Sequence, residues 1–100
     1  MDSRIKTIAD HYGYEAQSRQ CMEECAELIQ AINKLWRAET FDLGDLEVEG
    51  RATAVVGEMA DVQIMLWQMQ HALGVYEEQL DEEINSKLER QMQRIKEKSK

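Results

Sequence analysis

Two acidic pairs, Glu24-x-x-Glu27 and Glu58-x-x-Asp61, stand inside the two most apolar stretches of the chain. On a helix, residues three apart share a face at about 5–6 Å between Cβ atoms, so each pair can offer two carboxylates to one point. From Ala52 to Tyr76 those are the only acids, and that stretch contains no Lys or Arg. A carboxylate on such a helix needs a partner, because an unpaired charge removed from water costs several kcal/mol. Distant cations or a metal must supply it. Antiparallel packing of the two helices would gather Glu24, Glu27, Glu58 and Asp61 into one pocket. A hard oxygen set without His or Cys favours Mg²⁺ or Mn²⁺ over zinc. A metal so held can grip polyphosphate and hold the attacking and leaving oxygens of an in-line displacement. The chain has no P-loop, Gly-rich phosphate cradle or Ser/His/Asp set to offer another chemistry.

The elements that must position these groups are legible in composition and periodicity. The chain has 100 residues, no Pro and five Gly, which favours long uninterrupted helices over a turn-rich β fold. One small domain over 1–100 is expected, and a core of this size is commonly supplemented by association. The net charge of −8 argues against nucleic-acid binding, which needs a basic face. Acids gather at 39–49 and 77–83, whereas residues 94–100 form a basic end that suits a helix C-terminus. No run approaches the length of a membrane span and no apolar segment follows Met1–Arg4, so a soluble, cytoplasmic protein is the expectation. Cys21 and Cys25, four apart on one helix, read as reduced core thiols rather than a disulfide.

Four helices are predicted. Ser3 caps a short first one that stops near Gly13. The second runs from about Glu15 to Arg37, with Cys21, Met22, Cys25, Leu28, Ile29, Ile32, Leu35 and Trp36 as its apolar stripe and Glu23 turned to solvent. Residues 38–50 lose the period and read as a loop, with a short extended piece at 46–48. The third helix spans about Arg51 to Leu73 and ends at Gly74. One of its faces carries Ala54, Val55, Glu58, Val62, Met65 and Met69, with Asp61 on the flank; the opposite side carries Val56, Ala60, Ile64 and Trp67. A helix apolar all round is buried on both sides, which in so small a chain points to a subunit interface. The fourth helix starts near Tyr76 with the stripe Leu80, Ile84, Leu88, Met92 (or Gln91), Ile95. The expected architecture is an all-α four-helix bundle assembled as a dimer or tetramer.

The motifs resemble a known family. Glu23-Glu24-Cys25-Ala26-Glu27-Leu28 followed by Glu58-Met59-Ala60-Asp61-Val62 is similar to the ExxE…ExxD signature of the MazG-like nucleotide pyrophosphohydrolases, of the all-α NTP pyrophosphatase superfamily. Gly74-Val75 and then Lys87, Gln91 and Arg94 resemble that family's last helix and its K-x-x-x-N-x-x-R pattern, with Gln91 where Asn is usual. The resemblance implies Mg²⁺-dependent cleavage of a nucleoside triphosphate between the α and β phosphates, giving the monophosphate and pyrophosphate, as in nucleotide-pool housecleaning. It implies that Glu24, Glu27, Glu58 and Asp61 are metal ligands and that one of them helps position the attacking water. Lys87 and Arg94 would answer phosphate charge, and helices of a homodimer or homotetramer would build the pocket jointly. Two alternatives stand beside this reading. One is a phosphoribosyl-ATP pyrophosphohydrolase-like enzyme, and the other a non-catalytic helical dimer whose carboxylates are paired by Lys87, Arg90 or Arg94.

Overall fold

The computed structural model describes residues 1–99; Lys100, last of the predicted basic end, lies outside the described residues. Among the described residues there are three helices: α1 (Ser3–Thr40), α2 (Asp45–Leu73) and α3 (Glu77–Lys98). The predicted break at Gly13 is present as a kink within α1, where Gly13 has φ 82° and ψ 168°. That region is open to glycine and strained for residues with a Cβ, so the first two predicted helices join as one kinked element. The cap is Asp2 rather than Ser3: its carboxylate accepts from the Arg4 backbone N–H at 2.9 Å.

The predicted loop at 38–50 shrinks to four residues, 41–44. At the end of α1 the Leu43 N–H reaches back to the Ala38 carbonyl at 3.0 Å, with Asp42 at φ 50°. Asp tolerates this left-handed position better than most residues do, and the six-residue closure ends the helix. Residues 46–48 are helical, not extended. Asp45 and Glu47 suit the positive end of the α2 dipole, and Glu47 Oε1 accepts from Arg51 Nε at 2.9 Å one turn on. The acids that resembled a loop in the sequence are therefore a helix start. At the other end of α2, Gly74 is left-handed (φ 67°) as expected, and the Val75 N–H closes on the Gln70 carbonyl at 3.0 Å.

α1 and α2 form an antiparallel hairpin with a seam of three- and four-residue steps. Gln17, Cys21, Glu24, Leu28, Ala31, Leu35 and Ala38 line it from α1, all buried or half-buried. Val48, Arg51, Val55, Glu58, Val62, Met65, Met69 and Ala72 answer from α2. Such alternation is the coiled-coil pattern, in which each seam residue enters a gap between residues of the facing helix. It divides the predicted α1 stripe in two: Cys21, Cys25, Leu28 and Leu35 turn inward, whereas Met22, Ile29, Ile32 and Trp36 are exposed. His71 Nε2 and Asp10 Oδ1, 2.8 Å apart, tie the far end of α2 to the first turns of α1.

The four-helix bundle is not what one chain builds, because α3 packs against neither α1 nor α2. The Cα radius of gyration is 17.4 Å, whereas a compact 100-residue domain has about 13 Å. Leu80, Ile84, Leu88, Met92 and Ile95 form the predicted stripe along α3 and are exposed throughout. So is the outer side of α2, with Val56, Ile64, Leu66 and Trp67. Among the described residues, no helix is long and apolar enough to cross a membrane.

Candidate metal centre

Glu24 and Glu58 occupy seam positions, facing one another across the hairpin, and Glu27 stands one turn from Glu24 at the edge. One carboxylate oxygen from each of Glu24, Glu27 and Glu58 can be chosen so that all three lie within 4.8 Å of one another. Asp61, the fourth predicted ligand, is exposed and stands outside this group. Its charge still reaches the site. The Glu27 carboxyl is held above its ordinary range first by the charge of Glu24 and next by that of Glu58, then by some loss of hydration, with Asp61 adding a smaller push.

The partners of these acids are few. Glu24 Oε1 accepts from Gln20 Nε2 at 2.9 Å. Glu24 Oε2 and Glu58 Oε2 are both buried and without a hydrogen-bond partner. Among the described residues no Lys or Arg forms an ion pair with Glu24, Glu27, Glu58 or Asp61. Buried acceptors are ordinarily satisfied, and like charges this close repel unless protonated or bridged by a cation. Two orphaned oxygens in an all-carboxylate set fit a hard divalent cation such as Mg²⁺ or Mn²⁺.

The predicted phosphate-binding residues are placed elsewhere. Lys87 and Arg94 ride on α3, so within one chain they are not carried to the carboxylates; Lys87 Nζ lies instead 3.8 Å from Glu83 Oε2. The sequence reading missed two other cations that are near. A cleft of about 260 Å³ opens beside the carboxylates, lined by Glu27, Gln30, Lys34, Arg51 and Glu58 among others. Lys34 lies two helical turns beyond Glu27 on α1, and Arg51 two turns before Glu58 on α2, so the antiparallel seam brings both to the same end of the centre. Arg51 spends its Nε on Glu47 and keeps further guanidinium donors. The signal was present as a heptad offset from each acidic pair, but it appears only when both helices are set antiparallel in register.

Cys21 and Cys25 are free and half-buried, as expected. Their mutual proximity and burial raise the Cys21 thiol above its ordinary range, burial being the larger cause, which suits an unreactive thiol.

Comparison with known proteins adds an independent finding. Residues 41–100 match the family described as dATP/dGTP pyrophosphohydrolase. The match includes Glu58, Asp61, Lys87 and Arg94, while Glu24 and Glu27 precede it. Neither a curated protein nor a solved structure matches the chain. More than half of the sequence fits one family of hydrolases acting on nucleotide phosphoanhydrides, consistent with the MazG-like motifs, and the chain belongs to that dATP/dGTP pyrophosphohydrolase family.

Proposed function

We propose that the protein hydrolyses purine deoxynucleoside triphosphates between the α and β phosphates, with Mg²⁺ held by Glu24, Glu27 and Glu58. The observation that carries this reading is the seam itself: three carboxylates converge there, and two of their buried oxygens have no partner. A helix pair built only for stability would place apolar residues at those positions, since unpaired buried charge is costly. Bound there, Mg²⁺ supplies Lewis-acid polarisation of the phosphoryl oxygens, and Mn²⁺ has the same ligand preferences.

The remaining roles fall to residues around the centre. Asp61, one turn from Glu58 and exposed, orients the attacking water from the rim. Lys34 and Arg51 take the distal phosphates in the cleft beside Glu27 and offset the charge that develops on the pyrophosphate leaving group. A second copy seated on the exposed apolar stripe of α3 would meet Lys87 and Arg94, which flank that stripe, and so add them to the site.

The test is product identity. With Mg²⁺ and dATP or dGTP, the expected products are the deoxynucleoside monophosphate and pyrophosphate in equal amounts. Release of orthophosphate and the diphosphate, or no release at all, would overturn the reading.

A further inference from the structure

Beyond the carboxylates, on the side away from Lys34 and Arg51, lies a second cavity of about 350 Å³ between the first half of α1 and the last turns of α2. That volume is within the range of small-molecule sites, about 300–1,000 Å³. Ile8, Tyr12 and Met65 give it apolar and aromatic walls, and Gln17, Gln20 and Gln68 give it amides. Two of those amides are among the least exposed polar groups of the chain, Gln17 at 4% and Gln68 at 3%. Gln17 Oε1 is buried and has no hydrogen-bond partner. A buried acceptor without a partner is unusual enough to need a reason. Gln20 joins this cavity to the metal centre, since its side chain lines the one and donates to Glu24 in the other.

We infer that this cavity receives the purine base of the substrate, with Gln17 and Gln68 reading the ring edge that carries the 6-substituent and N7. The inference rests on the nucleotide hydrolase reading and assigns the end of the substrate opposite to the phosphates. Gln17 lies two helical turns from Glu24, about 10 Å along the axis, a reach comparable with that from an α-phosphate to the far edge of a purine. A carboxamide carries one acceptor and two donors and can be turned over without changing shape. One amide can pair bidentately with the 6-amino group and N7 of adenine. Turned over, two amides can donate to O6 and N7 of guanine. The same pair of residues therefore serves both purines, and Tyr12 offers a ring face for stacking. A pyrimidine, lacking the five-membered ring, has no N7 to take the second contact of that edge.

The experiment measures dissociation constants of dGMP, dAMP and dCMP for the full chain with Mg²⁺, in wild type, Gln17→Met and Gln68→Met. Met keeps the length and approximate volume of Gln, and circular dichroism establishes that each variant folds. The wild type should bind both purine monophosphates at least about tenfold more tightly than dCMP, as one bidentate pair provides. Either substitution should reduce that preference several-fold while leaving dCMP affinity in place, which a merely structural role for Gln17 or Gln68 would not do. Equal affinity for all three nucleotides in the wild type, or a preference that survives both substitutions, would overturn the inference. A purine preference that disappears in the variants of a protein with no triphosphate turnover would support the base site and count against the hydrolase reading alone.

Discussion

Glu58→Gln should reduce triphosphate turnover by about 10³-fold or more while leaving the helical fold intact. Glu58 is the only carboxylate that α2 contributes to the converging group, so its loss leaves two acids from one helix with nothing across the seam. Losing one ligand forfeits several kcal/mol of the charge stabilisation that a bound metal gives the reacting phosphates. The same substitution removes repulsion from the metal-free protein and should raise, not lower, its melting temperature. The opposite movement of activity and stability separates a functional carboxylate from a structural one. Glu27→Gln tests the electrostatics from the other side. Its folded-state pKa is raised above the ordinary 4.5, chiefly by Glu24 and then by Glu58. An acid harder to ionise in the folded state favours folding while protonated, below about pH 4.5, and that contribution disappears as pH rises through the raised value. Metal-free wild type should therefore lose stability from about pH 4.5 upward, and Glu27→Gln should flatten that decline. A steeper decline in the variant would mean that Glu27 is stabilised by an unseen cation.

Paired charges on α3, Ile84→Glu with Leu88→Glu, should convert an oligomer into a monomer and lower the melting temperature by tens of degrees. The reasoning begins with what one chain buries. Among the described residues, the buried hydrophobic ones are Ile5, Ala9, Ala31, Ala38 and Met65, three of them alanines, and no large side chain is fully enclosed. Such a core is too small to hold a separate α3 in place. Burying a Leu, Ile or Met side chain contributes about 1.5–3 kcal/mol, so covering five along α3 is worth on the order of 10 kcal/mol. A groove of about 530 Å³ between the end of α2 and the start of α3, lined by Leu66, Trp67, Met69, Leu73, Leu80 and Ile84 with polar neighbours, continues the same apolar surface. Two carboxylates placed in that surface could not be desolvated. Light scattering checks the outcome: an unchanged mass for the variant would mean that α3 is not the interface.

The sequence carried the chemistry further than the architecture. The two acidic pairs were visible because Glu58 and Asp61 interrupt an otherwise uncharged run, and Gly13 and Gly74 marked real changes of backbone direction. The boundary at 38–50 was missed because Asp45, Glu47 and Glu49 resemble loop residues by composition, whereas two of them sit where a helix start welcomes negative charge. The α1 stripe was misassigned for a different reason. A helical wheel weighs every apolar residue alike, so Met22, Ile29, Ile32 and Trp36 were grouped with Cys25 and Leu28. Only the partner helix reveals that Gln17, Ala31 and Ala38 form the seam instead. Lys34 and Arg51 were illegible for the same reason, since each gains meaning from a residue on the other helix. Lys87 and Arg94 were legible as a pattern, but α3 packs against neither α1 nor α2, so their place relative to the carboxylates is not set by the contacts within one chain.

Thermal unfolding of the wild-type protein in EDTA and then in millimolar Mg²⁺ tests the carboxylate centre most directly. A ligand at about 100 times its dissociation constant adds about 2.7 kcal/mol to the folded state, which a domain of this size shows as a rise on the order of ten degrees. That rise should appear in the wild type and vanish in Glu58→Gln. A melting temperature that ignores Mg²⁺ and Mn²⁺ at every concentration, in both proteins, would contradict a metal centre at Glu24, Glu27 and Glu58.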